Sequence, residues 1–328
     1  MLVLGIESSC DETSVSVVRD GKEVLSNVIY TQIDIHKEFG GVVPEIASRH
    51  HVEKITYVFE TALKEANVTP EDIDLVAVTT HPGLIGSLLV GINAAKAFSL
   101  AHNIELVEVD HIVGHIYANY IEDDFHFPVL ALVVSGGHTE LVLMKEHYSF
   151  EILGETLDDA VGEAYDKVGR VMNLEYPAGP KLDNLALQGK PSYKLPLVYM
   201  DKDTYNFSLS GLKSAVLNLS NKAKMKGEEL IPEDLACSFQ ESIVKVLTDK
   251  TMKAAVENNV KQIVVAGGCA ANKGLRSSLN EAVKDTDILL TFPKMKYCTD
   301  NAAMIAVAGY FQKKLGKWQT LLEMWKRF

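Results

Sequence analysis

Two histidines four residues apart, in H-I-V-G-H at 111–115, are the first side chains in this 328-residue sequence whose types and spacing could do chemistry. They follow an alternating apolar run, Ile104 to Val109, that ends at Asp110. A strand that ends in Asp and runs on without proline reads as a strand handing over to a capped helix. Positions i and i+4 share one helix face, so both imidazoles would point the same way and suit a single transition-metal ion. The same spacing also fits a solvated or core pair of histidines. It is not the zinc-peptidase helix: H-E-x-x-H needs a glutamate general base where this chain has Ile112.

Three turns carry other reactive groups. Val133 to Thr139, V-V-S-G-G-H-T, puts two glycines between two strands. Backbone amides can approach a phosphate closely there, with Ser135, His138 and Thr139 as donors; a tight hairpin that simply needs glycine is the other reading. Ala266 to Asn272, A-G-G-C-A-A-N, is a second small-residue loop at a helix start, where anions are favoured. The first turn, Glu7 to Thr13, is acidic instead. Asp11 and Glu12 read as ion- or amine-handling groups, or else as turn and solubility chemistry.

The elements that must position these groups appear twice. Leu2–Ile6, Ser14–Arg19 and Lys22–Val28 read as three strands, with the acidic turn after the first and Asp20-Gly21 as a hairpin signal. Val129–Val134, His138–Met144 and Phe150–Gly154 repeat the unit. Pro44-Glu45 opens a helix reaching about Asn67, and Pro232-Glu233 opens its counterpart; proline followed by an acid is the expected start chemistry. Each helix leads to a buried strand (Asp74–Thr79; Gln262–Ala266), a small-residue loop, a helix, a strand (Glu105–Val109; Ile288–Phe292) and a last helix. The last helices begin at Asp110-His111 and near Cys298-Thr299-Asp300-Asn301. The duplication therefore predicts an N-terminal lobe at 1–125 and a C-terminal lobe at 126–328, with an insertion at about 154–231 where specificity should reside. It also predicts Asp300 facing His111 and His115 across a cleft, a two-His, one-carboxylate metal set with an open position. Asp300 could equally cap its helix. Turns converging on a cleft between duplicated lobes is the layout of the actin-like ATPase, sugar kinase and heat-shock chaperone fold, an α/β class that by itself licenses no particular function.

Bulk properties narrow the classes. Apolar residues make up 47% and charged residues 23%, an ordinary globular composition. Four scattered cysteines form no C-x-x-C, which favours a reducing compartment. The N-terminus lacks a basic region ahead of its apolar run, and the longest apolar stretch, Ile85–Leu100, is broken by Ser, Asn and Lys, so a cytoplasmic chain without membrane attachment is expected. A net charge of −12 argues against a sequence-blind grip on nucleic acid, leaving any polyanion to a local patch or a partner. Lys213, Lys222, Lys224 and Lys226 form one patch and Lys313, Lys314 and Lys317 another; both read first as solvated helix faces.

The segments GIESSCDETS (5–14), GGVVPEIASRHH (40–51), HPGLIGSL (81–88), HIVGH (111–115), VSGGHTEL (134–141), DDAVGEAYDK (158–167), YPAGP (176–180), NFSLSGLK (206–213) and CTDNAAMIA (298–306) together resemble the bacterial TsaD proteins. That family catalyses tRNA N6-adenosine threonylcarbamoyl transfer and was formerly called glycoprotease or O-sialoglycoprotein endopeptidase. The likeness runs in order over nearly the whole chain. It implies that His111, His115 and Asp300 hold iron or zinc, and that Val134, Ser135, Gly136, Gly137 and His138 contact the phosphate and acyl part of threonylcarbamoyl-AMP. It further implies that Asp166, Gly179 and Asp183 hold the nucleoside, with Asn272 on the adenylate from the other side. Partners implied are tRNA, a catalytically silent TsaB-like relative and a TsaE-like ATPase. Asp11 or Glu12 would accept the proton of the attacking amine. The chain departs from the pattern in places. Val133 stands where the archaeal and eukaryotic branch has a tyrosine ligand, Asp110 where the family usually has Asn, and Glu105 where it often has Pro.

Two other classes compete. A small-molecule phosphotransferase of the same fold should carry D-x-G at its first strand, where this chain has Glu7-Ser8-Ser9. A metallopeptidase should carry H-E-x-x-H or a base beside the metal.

Overall fold

The computed structural model describes residues 1–199 and 204–317. The chain divides into two compact units, residues 1–124 with 293–328, and residues 125–292.

In the first unit, β1 (Leu2–Glu7), β2 (Glu12–Arg19) and β3 (Glu23–Thr31) are joined antiparallel. The short helix α1 (Ile33–Lys37) and the long α2 (Pro44–Ala66) follow, then β4 (Leu75–His81), α3 (Ile85–His102), β5 (Glu105–Asp110) and α4 (His111–Ala118). β4 and β5 add parallel to β1, giving the order β3-β2-β1-β4-β5. β1, β2 and β4 are buried along nearly their whole length, and β1 and β4 read as near-continuous apolar runs. Where β2 carries Ser14 and Ser16 inside, their hydroxyls donate to the Val28 and Ser26 carbonyls. Leu4, Ile6, Val15, Val17, Ile55, Val58, Phe59, Val78, Leu88 and Ile92 form the core between the sheet and α2 and α3. Each such side chain contributes about 1.5–3 kcal/mol relative to exposure. α3 is the one helix among the described residues with the length and composition to cross a membrane. One face of it, with Leu88, Ile92 and Ala95, is buried in the core, while Ile85, Leu89 and Leu100 are exposed.

The second unit repeats the plan. β6 (Val129–Val134), β7 (Thr139–Met144) and β8 (Glu151–Glu155) are antiparallel; β9 (Gln262–Ala266) and β10 (Leu289–Thr291) join parallel, in the order β10-β9-β6-β7-β8. This is the first sheet's order element for element, as the internal duplication predicts. Between β8 and α8 (Pro232–Glu257) lie α5 (Val161–Val171), α6 (Gly179–Ala186) and α7 (Ser210–Lys226), where the first unit has only α1. α9 (Lys273–Val283) precedes β10.

The last helix, α10 (Ala302–Lys314), returns to the first unit, whereas the expected boundary assigned everything after residue 125 to the second lobe. The reason is apolar area. Ala302 to Gly309 is buried throughout, and such a helix must be covered on all sides. It packs against β1, β2, β4 and α4.

Candidate functional site

β5 ends at Asp110, whose carboxylate accepts from the amides of Ile112 (2.7 Å) and Val113 (3.0 Å) and so caps α4. The cap starts the helix at His111 and sets His111 and His115 one turn apart, their rings edge-to-face with centroids at 4.6 Å. α10 approaches α4 closely because Gly114 has no side chain; a Cβ there would lie 2.6 Å from Ile305 Cδ1. Asn301, not Asp300, caps α10, its side chain accepting from the Met304 amide. With the cap supplied by its neighbour, Asp300 points to the histidines: Oδ1 lies 3.1 Å from His115 Nε2 and 3.5 Å from His111 Nε2. All three residues belong to one compact unit, so the expected approach of Asp300 from the other lobe is replaced by the return of α10.

These atoms fit a metal ion. One ligand atom from each of His111, His115 and Asp300 lies within 4.8 Å of the others. His115 is 1% exposed, and neither ring nitrogen makes a hydrogen bond, although Nε2 is close to Asp300. A buried orphan of this kind costs about 1–3 kcal/mol unless something else satisfies it. Two imidazoles and a carboxylate suit zinc or iron with positions left open.

Sequence reasoning missed Glu7. It is fully buried at the end of β1, accepts from Ser9 N (2.6 Å) and Thr79 Oγ1 (2.5 Å), and lies 3.0 Å from His111 Nδ1. Burial pushes the Glu7 carboxyl up, but His111 outweighs it and holds it below the ordinary range. The carboxylate can only accept, so Nδ1–H donates and Nε2 is left to face Asp300. Burial likewise pushes His111 down, but Asp300 and Glu7 raise it to about 9. Positive charge is favoured here. Glu7→Gln is expected to weaken zinc binding roughly 10–100-fold, read by competition with a chromophoric chelator; unchanged affinity would remove Glu7 from the site.

Asp11 and Glu12 sit in the same unit, Glu12 opening β2 two residues earlier than expected. Burial and the charges of Asp11 and Asp300 push the Glu12 carboxyl well up. Burial and the same acids push the Cys10 thiol up, leaving it unreactive. His51, which sequence reasoning gave no role, holds this turn: Nδ1 meets Thr13 Oγ1 at 2.7 Å and Nε2 meets the Cys10 carbonyl at 2.9 Å.

In the second unit, Val134 ends β6 and the loop to β7 is closed by Ser135 N donating to His138 O and His138 N to Ser135 Oγ. It is a hairpin turn, yet nothing among the described residues requires its glycines. Neither Gly136 nor Gly137 has left-handed backbone, and a Cβ at either would meet nothing within 4 Å. Room for an external group is the property they supply. The loop is tied to α5 through Gly162 N and Ser135 O.

The remaining expected contacts divide into two groups. Asp183 accepts from Gln240 Nε2 (3.0 Å) and the Lys273 amide (3.1 Å). Asn272 caps α9 through the Leu275 amide and donates to Gln240 Oε1 (2.9 Å) and Tyr165 OH (3.2 Å). Gln240 thus joins Asp183 to Asn272 and had no signal in the sequence, whereas Tyr165 lies in the DDAVGEAYDK segment but was given no role. Asp166 sits apart, accepting from the Ala178 amide at 2.7 Å just ahead of Gly179, with burial pushing its carboxyl up. A Cβ at Gly179 would also meet nothing within 4 Å. Val133 is fully buried in β6.

Comparison with known proteins agrees with this picture. Residues 23–307 match the family described as TsaD, tRNA N6-adenosine threonylcarbamoyltransferase. The chain is 59% identical over 321 residues to a protein of that name from Bacillus thuringiensis, covering 98% of this chain and 94% of the relative. It is 58% identical over 315 residues to one from Staphylococcus saprophyticus, covering 96% and 92%. Among solved structures, the (R)-2-hydroxyglutaryl-CoA dehydratase component A of Acidaminococcus fermentans superposes with TM-score 0.56 at 16% identity, covering 96% of this chain and 99% of that one. HypF of T. kodakarensis superposes with TM-score 0.64 at 14% identity, covering 95% and 47%. Those two likenesses establish the actin-like ATPase fold alone. Whole-length identity of this order, on a chain that carries the TsaD-like motifs from its first strand to its last helix, assigns it to the TsaD family of tRNA N6-adenosine threonylcarbamoyltransferases.

Proposed function

We propose that this chain transfers the threonylcarbamoyl group of threonylcarbamoyl-AMP to N6 of the adenosine beside the anticodon in tRNA. The carrying observation is the near-full-length identity to proteins named for that transfer. In the reaction the N6 nitrogen bonds to the carbamoyl carbon, the bond from that carbon to the phosphate oxygen breaks, AMP leaves, and one N6 proton passes to a base. His111, His115 and Asp300 hold a divalent ion, iron or zinc, which supplies a Lewis acid and a template for the donor. Val134 to His138 offers amides and hydroxyls to the phosphate and acyl group. Asp166, Gly179, Asp183 and Asn272 hold the nucleoside and adenylate. An exocyclic aromatic amine is a poor nucleophile, so holding it against the activated carbonyl supplies much of the rate.

Asp11 or Glu12 accepts the amine proton. A TsaB-like relative and a TsaE-like ATPase assist, and the reaction takes place in the cytoplasm. The acidic net charge fits a chain that needs help to hold tRNA.

The test is nucleoside analysis of unmodified tRNA incubated with the purified chain, both partners and threonylcarbamoyl-AMP. Threonylcarbamoyladenosine is expected. Its absence, with partners known to be active, would overturn the reading. In the same assay either Asp11→Ala or Glu12→Ala is expected to slow transfer by about 10²–10⁴-fold, the usual loss of a general base; normal turnover in both variants would remove the base assignment.

A further inference from the structure

We infer that the exposed side of α7 is the landing surface for the tRNA phosphate backbone, an inference that rests on the tRNA-modifying reading above. α7, S-G-L-K-S-A-V-L-N-L-S-N-K-A-K-M-K, carries four lysines and no acid, in a chain whose net charge is −12. Leu212, Val216 and Ala223 are its buried stripe. Lys213 and Lys224, eleven residues apart, return to nearly the same angle on one flank of that stripe, and Lys222 and Lys226, one turn apart, lie on the other. The strip between them is exposed and uncharged, with Ser214, Asn218 and Asn221 as hydrogen-bonding groups. Two rails of ammonium groups beside neutral donors suit a phosphodiester strand.

A solvated helix face, the reading its sequence first suggests, leaves two features without cause. Several surface lysines elsewhere in this unit have acidic partners, Lys145 with Glu151, Lys181 with Glu175, Lys245 with Asp249 and Lys284 with Glu281, while the exposed Lys190, Lys194 and Lys261 are scattered singly and show none among the described residues. On α7 only Lys226 has one among the described residues, Glu228 at 3.7 Å. Lys224 and Lys226 in the last turn complement the helix dipole, but Lys213 sits in the first turn, where the dipole disfavours a cation. Helix stability does not account for it. The other lysine patch differs: Lys313 is paired with Glu105, and Lys314 lies over the Tyr310 ring at 5.5 Å.

The surface is also anchored to the proposed substrate residues. Asp158 accepts from Ser208 Oγ, Leu209 N, Ser210 N and Ser210 Oγ, pinning the start of α7 to the segment that enters α5. α5 carries Asp166 and packs against α7. A strand lying along α7 is thereby set in fixed register with that part of the unit.

The experiment measures tRNA binding across salt concentrations for the full chain assembled with its two partners. One variant combines Lys213→Ala, Lys222→Ala, Lys224→Ala and Lys226→Ala. A second combines Lys145→Ala, Lys245→Ala, Lys253→Ala and Lys284→Ala, removing the same charge elsewhere in the unit. The α7 variant is expected to raise the tRNA Kd about tenfold or more and to flatten the log–log salt dependence by about 3–4, close to one unit for each phosphate no longer neutralised. The second variant is expected to leave the slope unchanged. Equal effects from both, or an unchanged slope in the α7 variant, would overturn the inference while leaving the functional reading intact. No tRNA binding and no transfer by the unsubstituted assembly would overturn both.

Discussion

The His115→Ala protein is expected to lose its bound metal and, with it, formation of threonylcarbamoyladenosine. Removing a residue that only orients a metal ligand typically costs 10–100-fold in affinity, so removing one of three ligands is expected to cost at least about a hundredfold. His111 and Asp300 remain 3.5 Å apart and can pair with each other, which leaves a two-residue remnant. Stability without metal is expected to change little. Alanine leaves a cavity, but it also removes two buried nitrogens that lack hydrogen-bond partners, and these effects oppose each other. Added zinc separates a ligand role from a packing role. At a hundred times its Kd a metal stabilises the folded state by about 2.7 kcal/mol. The unsubstituted chain is expected to show that rise in melting temperature and His115→Ala to show none. Equal metal content by elemental analysis in the two proteins would mean that His115 is not a ligand.

The site was partly legible because its two halves obey local rules. Helical spacing placed His111 and His115 on one face, and the repeated strand order brought Asp300 to the matching helix start. What escaped depends on long-range packing. The sequence around C-T-D-N-A does not distinguish Asp300 from Asn301 as the cap; that depends on the sheet, where Ser14 Oγ receives the Ala302 amide and Asn27 Oδ1 the Ala303 amide. Glu7 reads as a turn acid because strand periodicity carries no information about a buried carboxylate paired with a histidine 104 positions away. Gln240 and Tyr165 look like ordinary core-facing helix residues until α8, α9 and α5 are assembled. The boundary missed at residue 293 has the same origin. An apolar helix states that it must be buried, not against which sheet.

That packing leads to the second large effect, at Gly5. β1 is paired on both edges, Gly5 standing opposite Ser16 in β2 and Ala77 in β4, so the strand cannot shift sideways. α10 lies on the bare Cα. A Cβ added at residue 5 would lie 2.2 Å from the Ala302 carbonyl oxygen and 2.8 Å from the Ala306 amide nitrogen, both backbone atoms of α10. Neither can rotate away, so the helix must move bodily and strain the Ala302–Ser14 hydrogen bond at 2.9 Å. Gly5→Ala is therefore expected to cost about 1–3 kcal/mol or more, lowering the melting temperature by about 2–4 °C per kcal/mol. Asp300 precedes this helix by two residues, so the same displacement is expected to weaken zinc binding although the substitution touches no ligand. Gly211→Ala is the comparison. Its new Cβ would meet only Val198 Cγ1 at 3.7 Å, inside a helix that favours alanine, so it is expected to be neutral or stabilising by up to about 1 kcal/mol. If both variants melt together and bind zinc equally, α10 is not seated on β1 in the way that sets Asp300. If Gly5→Ala alone loses stability and metal affinity together, the position of the carboxylate is decided by a glycine nearly three hundred residues earlier in the chain.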